Sequence, residues 1–164
     1  MKKILIVVVS VIVLAVAGWL GTTFVYSSVT ADGVQDFADE VNGPESEQMG
    51  LDLVSMRVDN YQKGLFSSSV STTFLPASMY KPDALPDVEE KAAGLPLKHQ
   101  IYHGPVAMTP DGPLMCHALT ITTLDRVNLP TKVLIALEEV YGDEEPFTVR
   151  TVVDYDGMTR MTLA

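Results

Sequence analysis

Three histidines and one cysteine are the residues here best suited to chemistry. His99 and His103 are four apart, and His117 follows Cys116 directly. Two histidines with a third ligand could hold a zinc ion, which draws its ligands to about 2 Å from one point. The surrounding pattern (Leu97, His99, Ile101, His103) alternates as a strand does. On a strand, residues four apart are separated by ~13 Å, too far to share an ion easily. The sequence therefore predicts no metal site, with these rings capping a sheet face and hydrogen-bonding to backbone. Cys116 and His117 point to opposite faces of a predicted strand, so they form no nucleophile–base pair, and Cys116 reads as a buried small hydrophobe. Ser67, Ser68 and Ser69 lie in no G-x-S-x-G or S-x-x-K context and read as a hydroxyl stripe on a sheet. Glu138, Glu139, Asp143, Glu144 and Glu145 lack the spacing of a calcium loop and read as solvated surface. There is no P-loop and no G-x-G-x-x-G. The expectation is a protein that is not an enzyme and carries no cofactor.

The segment that must position everything else is at the amino terminus. Lys2 and Lys3 precede residues 4–26, which hold no charged side chain. As a helix this run extends ~34 Å, against a hydrocarbon core of ~30 Å. The next basic residue is Arg57, whereas Asp32, Asp36, Asp39, Glu40, Glu45 and Glu47 are acidic. Positive charge stays on the cytoplasmic side, so the predicted arrangement is a single span with residues 27–164 exported. Trp19, Phe24 and Tyr26 suit the headgroup level at its far end. Ala15-Val16-Ala17 also matches a signal-peptide cleavage pattern, but the apolar run continues past it to Tyr26, which favours a retained anchor. Ala17 and Gly21 have small-xxx-small spacing, a weak signal for helix pairing.

The 164-residue chain is 47% hydrophobic and 20% charged, with a formal net charge of -10. That excludes a disordered chain, and the acidic balance argues against nucleic acid as a partner. The single cysteine excludes a disulfide framework.

Beyond the anchor, Asp32 is predicted to N-cap a short stalk helix carrying Val34, Phe37, Ala38 and Val41, ended by Asn42-Gly43-Pro44. Leu51 to Val58 reads as a strand with a bulge near Val54, followed by a turn at residues 60–64. Phe66, Val70 and Phe74 alternate with Ser67, Ser69, Ser71 and Thr73, a strand that should pair with the previous one as a hairpin. Residues 76–96 read as a loop or broken helix, residues 97–103 as a strand, residues 109–113 as a tight turn and residues 114–124 as another strand. A helix is predicted from Pro130 to Gly142. Residues 147–155 then alternate up to Asp156-Gly157, a strong hairpin signal, with a returning strand after it. The predicted fold class is α+β, mostly antiparallel sheet with one or two short helices behind a transmembrane helix. The predicted divisions are 4–26 anchor, 27–48 helical stalk and linker, and 49–164 a periplasmic sheet-rich domain whose final strand is read either as closing the sheet or as the mark of a domain incomplete at its C-terminal end.

Three segments, in order, resemble the YdgA-like family of bacterial envelope proteins, a domain of unknown function. The first is Asn60-Tyr61-Gln62-Lys63-Gly64-Leu65-Phe66-Ser67-Ser68. The second is His103-Gly104-Pro105. The third is Glu145-Pro146-Phe147 leading to Tyr155-Asp156-Gly157. The resemblance implies an inner-membrane protein with its N-terminus in the cytoplasm and its body in the periplasm, and it matches the amino-terminal portion of longer members. It brings no active site. The motif residues Tyr61, Gly64, Phe66, Ser67, Ser68, His103, Gly104, Pro105, Pro146, Tyr155 and Gly157 read as structural. Gly64 is expected to take a positive φ at its turn, and Phe66 to anchor the core. The expected function is a membrane-tethered, non-enzymatic envelope protein that binds a partner protein, lipid or second copy. The alternatives are a module for lipid or another apolar ligand and, less favoured, a metal-dependent enzyme using His99, His103 and His117.

Overall fold

In the computed structural model, which describes residues 2–47, 53–80 and 94–164, one helix dominates. Helix α1 runs unbroken from Lys2–Asn42. It passes through the expected boundary at residue 26 without a break, so Asp32 lies mid-helix and is not the N-cap of a separate stalk. The reason is local. Just before Asp32, Ser28 donates to the Phe24 carbonyl and Thr30 to that of Tyr26, so these hydroxyls are satisfied along the helix and do not interrupt it. The predicted stop at Asn42 is where the helix ends.

Among the described residues eight strands follow: β1 (Val54–Gln62), β2 (Ser67–Pro76), β3 (Leu95–His103), β4 (Val106–Thr109), β5 (Gly112–Met115), β6 (Ala118–Leu124), β7 (Val149–Val153) and β8 (Thr159–Leu163). Six form an antiparallel sheet in the order β1-β2-β3-β6-β7-β8, and β4-β5 is a separate hairpin. Helix α2 (Thr131–Tyr141) connects β6 to β7. The fold is therefore α+β with a mostly antiparallel sheet, as the alternation implied.

Several local expectations shift. The bulge sits between Val58 and Asn60, and β1 continues to Gln62, so the turn occupies residues 63–66 and Phe66 lies in it. The strand expected over residues 114–124 is two. β5 ends at Met115, the chain bends at Cys116-His117, and β6 starts at Ala118. The bend folds the β4-β5 hairpin back over the sheet, where Ala107, Cys116 and Leu119 are fully buried together with Tyr102, Leu114, Ile121 and Val152 around them. Cys116 is a packed hydrophobe. Expectations for residues 48–52 and 81–93 lie outside the described residues.

The opposite sheet face meets α1. Trp19, Thr23, Tyr26, Ser27, Thr30, Val34, Ala38 and Val41 form a half-buried to buried stripe at helical spacing. Ala38 and Val41 pack on Met56, Val58 and Phe74. Complete burial of a side chain such as Val41 stabilises by about 1.5–3 kcal/mol. Asn42 then locks the end: its Nδ2 donates to the Met56 carbonyl at 2.7 Å, and the Met56 N–H donates to its Oδ1 at 2.9 Å. Helix α2, by contrast, has no buried residue and does not cover this face.

Two glycines are fixed by close backbone approach. A Cβ on Gly104 would lie 1.9 Å from the Cys116 carbonyl oxygen, and one on Gly64 would lie 2.1 Å from that of Ser67. Gly64 does not have a positive φ, contrary to expectation. That conformation belongs to Gly112, Gly142 and Gly157. A Cβ on Gly33 in α1 meets nothing within 4 Å. Gly104→Ala is thus expected to destabilise by at least ~3 kcal/mol, and Gly33→Ala to stabilise by roughly 0.5–1 kcal/mol. Urea unfolding of the two variants in detergent checks both signs.

Candidate functional site

The signature segments, scattered in sequence, converge at one end of the sheet. That end holds turn 63–66, the β3–β4 corner at Gly104-Pro105, the Cys116-His117 bend and the β7–β8 hairpin. All of it gathers around residues 19–28 of α1. Ser27 Oγ donates to the Gly64 carbonyl at 2.8 Å. The Trp19 and Phe66 rings lie 5.3 Å apart. Lys63 Nζ donates to Ser28 Oγ at 2.9 Å and sits over the Phe24 ring. Across the sheet, His117 is held edge-on between Tyr26 and Tyr155 at 5.2 and 4.8 Å. The Tyr155 hydroxyl donates to the Pro105 carbonyl.

Ser68 and His103 form the centre of this end. Ser68 Oγ and His103 Nε2 are 2.8 Å apart, Gly64 N–H donates to Ser68 Oγ at 3.3 Å, and the His103 N–H donates to the Phe66 carbonyl at 2.9 Å. A serine beside a histidine suggests a nucleophile and its base. Here both side chains are 1% exposed, and His103 Nδ1 has no partner to orient the ring. Without access or an orienting acid the pair has no route to acyl transfer. It ties turn 63–66 to β3.

Above this end, α1 and the sheet border an open apolar cavity of about 360 Å³, lined by Val34, Phe37, Val70, Phe74, His99 and Ile101 among others. His99 Nε2 is 2.8 Å from Thr72 Oγ1, and Nδ1 is 2.8 Å from Thr122 Oγ1. A neutral imidazole has one donor and one acceptor nitrogen, and each hydroxyl can take the complementary role. The cavity therefore offers no unsatisfied ring nitrogen to a polar ligand.

Of the other motif residues, Tyr61 places its hydroxyl in the interior without a partner, Ser67 lies on the opposite sheet face, and Gly157 turns the β7–β8 hairpin with φ +80°. Pro146 is the exception, lying at the far end of β7. The three histidines occupy separate surroundings: His99 between threonines, His103 on Ser68, and His117 between tyrosines. Among the described residues no three His, Cys, Asp or Glu side chains converge as metal ligands would. Sequence reasoning missed the Ser68–His103 and Thr72–His99–Thr122 contacts, because cross-strand register is not written in any one segment. A partial signal existed in Trp19, Thr23 and Ser27, spaced by four along an otherwise apolar run.

Over residues 1–164 the sequence matches a family described as bacterial protein of unknown function, DUF945. The chain belongs to that family. Comparisons with curated proteins and with solved structures give no match. For this family member, α1 is the one helix among the described residues long and apolar enough to cross a membrane.

Burial lowers the pKa of His99, and burial together with the nearby Lys63 ammonium lowers that of His103, both from an ordinary 6.5. The unfolded chain then binds protons at these residues before the folded one does. Their contribution is complete above pH 6.5 and is lost as pH falls below it toward the lowered native values. The unfolding midpoint is expected to fall from pH 7.5 to pH 5, with a shallower fall in His99→Gln. An equally steep fall in that variant would remove His99 from the explanation.

Proposed function

We propose that this protein is a non-enzymatic, membrane-tethered component of the bacterial envelope, anchored once in the inner membrane with its body in the periplasm. The carrying observation is that α1 is one continuous rod, free of charge over residues 4–26 and clamped to the sheet from Trp19 to Asn42. A cleavage after Ala17 would spare the clamp but leave Trp19, Leu20 and Phe24 without a membrane. Lys2 and Lys3 on one side, and a remainder with nine basic and 21 acidic residues on the other, support an N-terminus held in the cytoplasm. The YdgA-like signature supports the same placement. Its residues serve the joint between anchor and body, which gives them a structural role.

The orientation is testable with Asp143→Cys, placed in an exposed loop at the end of α2, since the native Cys116 is fully buried. A membrane-impermeant maleimide is expected to label intact spheroplasts carrying this variant, in the full-length unprocessed chain. Labelling only after lysis would refute the periplasmic body.

The cavity favours a more specific reading, a site for an acyl chain of a lipid. A methylene occupies about the volume of a water molecule, ~30 Å³, so the 360 Å³ space takes about a dozen carbons. Its lining is mostly apolar, and both ring nitrogens of its histidine are already bonded to threonine hydroxyls. A phospholipid with a diazirine on its acyl chain is expected to crosslink to the β2 peptide containing Val70 and Phe74. Gly33→Phe, which fills the cavity from α1, should abolish that product and spare crosslinks to residues 12–18. Equal β2 labelling in both proteins would exclude the cavity as the site.

A further inference from the structure

The spacing along α1 leads to a conclusion about where the body sits. A hydrocarbon core of ~30 Å takes ~20 helical residues. Counted from Ile4, just after the two lysines, these end at Thr23. Yet the body already contacts α1 below that point. Phe66 packs on Trp19, four residues or ~6 Å deeper, and helix side chains lean further toward the N-terminus. Gly64 is bonded to Ser27, ~6 Å above the boundary, within the headgroup layer. Turn 63–66 thus extends down the helix from headgroup level into the acyl region.

Its composition suits that position. Leu65 and Phe66 are each 39% exposed, and the neighbouring Lys63 lies over the exposed Phe24 ring of α1. Lys63 reaches up the helix to Ser28, the direction that takes its ammonium toward headgroups. The other corners at this end, Gly104-Pro105 and Cys116-His117, carry no carboxylate. Acids at the same end are confined to the β7–β8 hairpin, where Asp154 is paired with Arg160 at 2.6 Å. The larger acidic groups, Asp36, Asp39 and Glu40 on α1 and Glu138 to Glu145 beyond β6, lie toward the opposite end.

We infer that the body is seated on the bilayer, with turn 63–66 dipping into it as a second lipid contact beside the anchor. The seat rests on the proposal that α1 spans the membrane, and the test separates the two. The full chain, with Cys116→Ala, is reconstituted in vesicles of a zwitterionic phospholipid brominated on its acyl chains. An environment-sensitive fluorophore is attached at Leu65→Cys, at Val13→Cys in the anchor, or at Leu53→Cys, which is 77% exposed at the far end of β1. If Cys116→Ala fails to fold, native Cys116 is retained, being inaccessible to label. The expected result is strong quenching at residue 13, at least about half as much at residue 65, and almost none at residue 53. Quenching at 13 with none at 65 overturns the seat and leaves the anchor standing. No quenching at 13 overturns the anchor itself. Equal quenching at 53 and 65 also overturns the seat, because contact would then not be confined to this end.

Discussion

Everything in this structure depends on one helix serving two solvents. Over residues 4–26 α1 carries no charged side chain and can satisfy its backbone internally, the condition for crossing hydrocarbon. From Trp19 onward one stripe of the same helix must also seal a protein interior. The two demands overlap between residues 19 and 28, and the residues there meet both. Thr23 and Ser27 are fully buried against the body, small enough for close approach, with hydroxyls bonded to the Trp19 and Gly64 carbonyls. Such bonds keep a polar side chain tolerable in either environment. A helix that ended its apolar run cleanly and then began a separate stalk would need a flexible joint. Here the joint is a packed seam.

The seam explains why glycines and a histidine lie where they do. Turn 63–66 folds tightly enough for Gly64 to press on the Ser67 carbonyl, which brings its own carbonyl to Ser27. Ser68 and His103 then fasten this turn to β3, and Gly104 allows the following corner to lie against the Cys116 carbonyl. The corner in turn accepts the Tyr155 hydroxyl, and Tyr155 closes on His117 and Tyr26. From one helix turn to the next, the chain is tied to α1 by the side chains of Trp19, Tyr26, Ser27 and Ser28. These segments share a task although they are separated by some forty residues each.

How much of this was legible in the sequence varies by the range of the interaction. Alternation in Val70 to Phe74, the Asp156-Gly157 hairpin and the Asn42-Gly43 helix stop are local, and each fell within a few residues of its predicted place. The α1 break did not, because Ser28 and Thr30 bond their hydroxyls along the helix and Ser27 bonds across to the Gly64 carbonyl, so none of them competes with the helix backbone. The strand over 114–124 was split by a requirement for the β4-β5 hairpin to cover Leu119, which no window of that segment reveals. The site was less legible than the fold. The signature residues were named, but that ten of them meet while Pro146 stays apart follows only from strand direction. Gly64 was assigned to a positive φ because turns usually ask for one, whereas the actual constraint is the space left by a neighbouring carbonyl.

The chemistry of the helix-facing sheet surface follows from the same seam. A surface holding His99, His103, Ser68, Thr72, Thr120 and Thr122 resembles catalytic equipment in composition. Its bonds point the other way. His99 bonds both ring nitrogens to hydroxyls of adjacent strands and His103 bonds Nε2 to Ser68, so the rings hold register, and burial lowers both pKa values. A neutral, internally bonded polar set exerts little pull on water, and the space beneath α1 is left with walls of Val34, Phe37, Val70, Phe74 and Ile101. Polar residues that satisfy one another are therefore what allow an apolar cavity to exist on a sheet rich in Ser and Thr. The cavity and the anchor are two stretches of one helix, so whatever fixes the depth of α1 in the bilayer also fixes the height of the cavity above it.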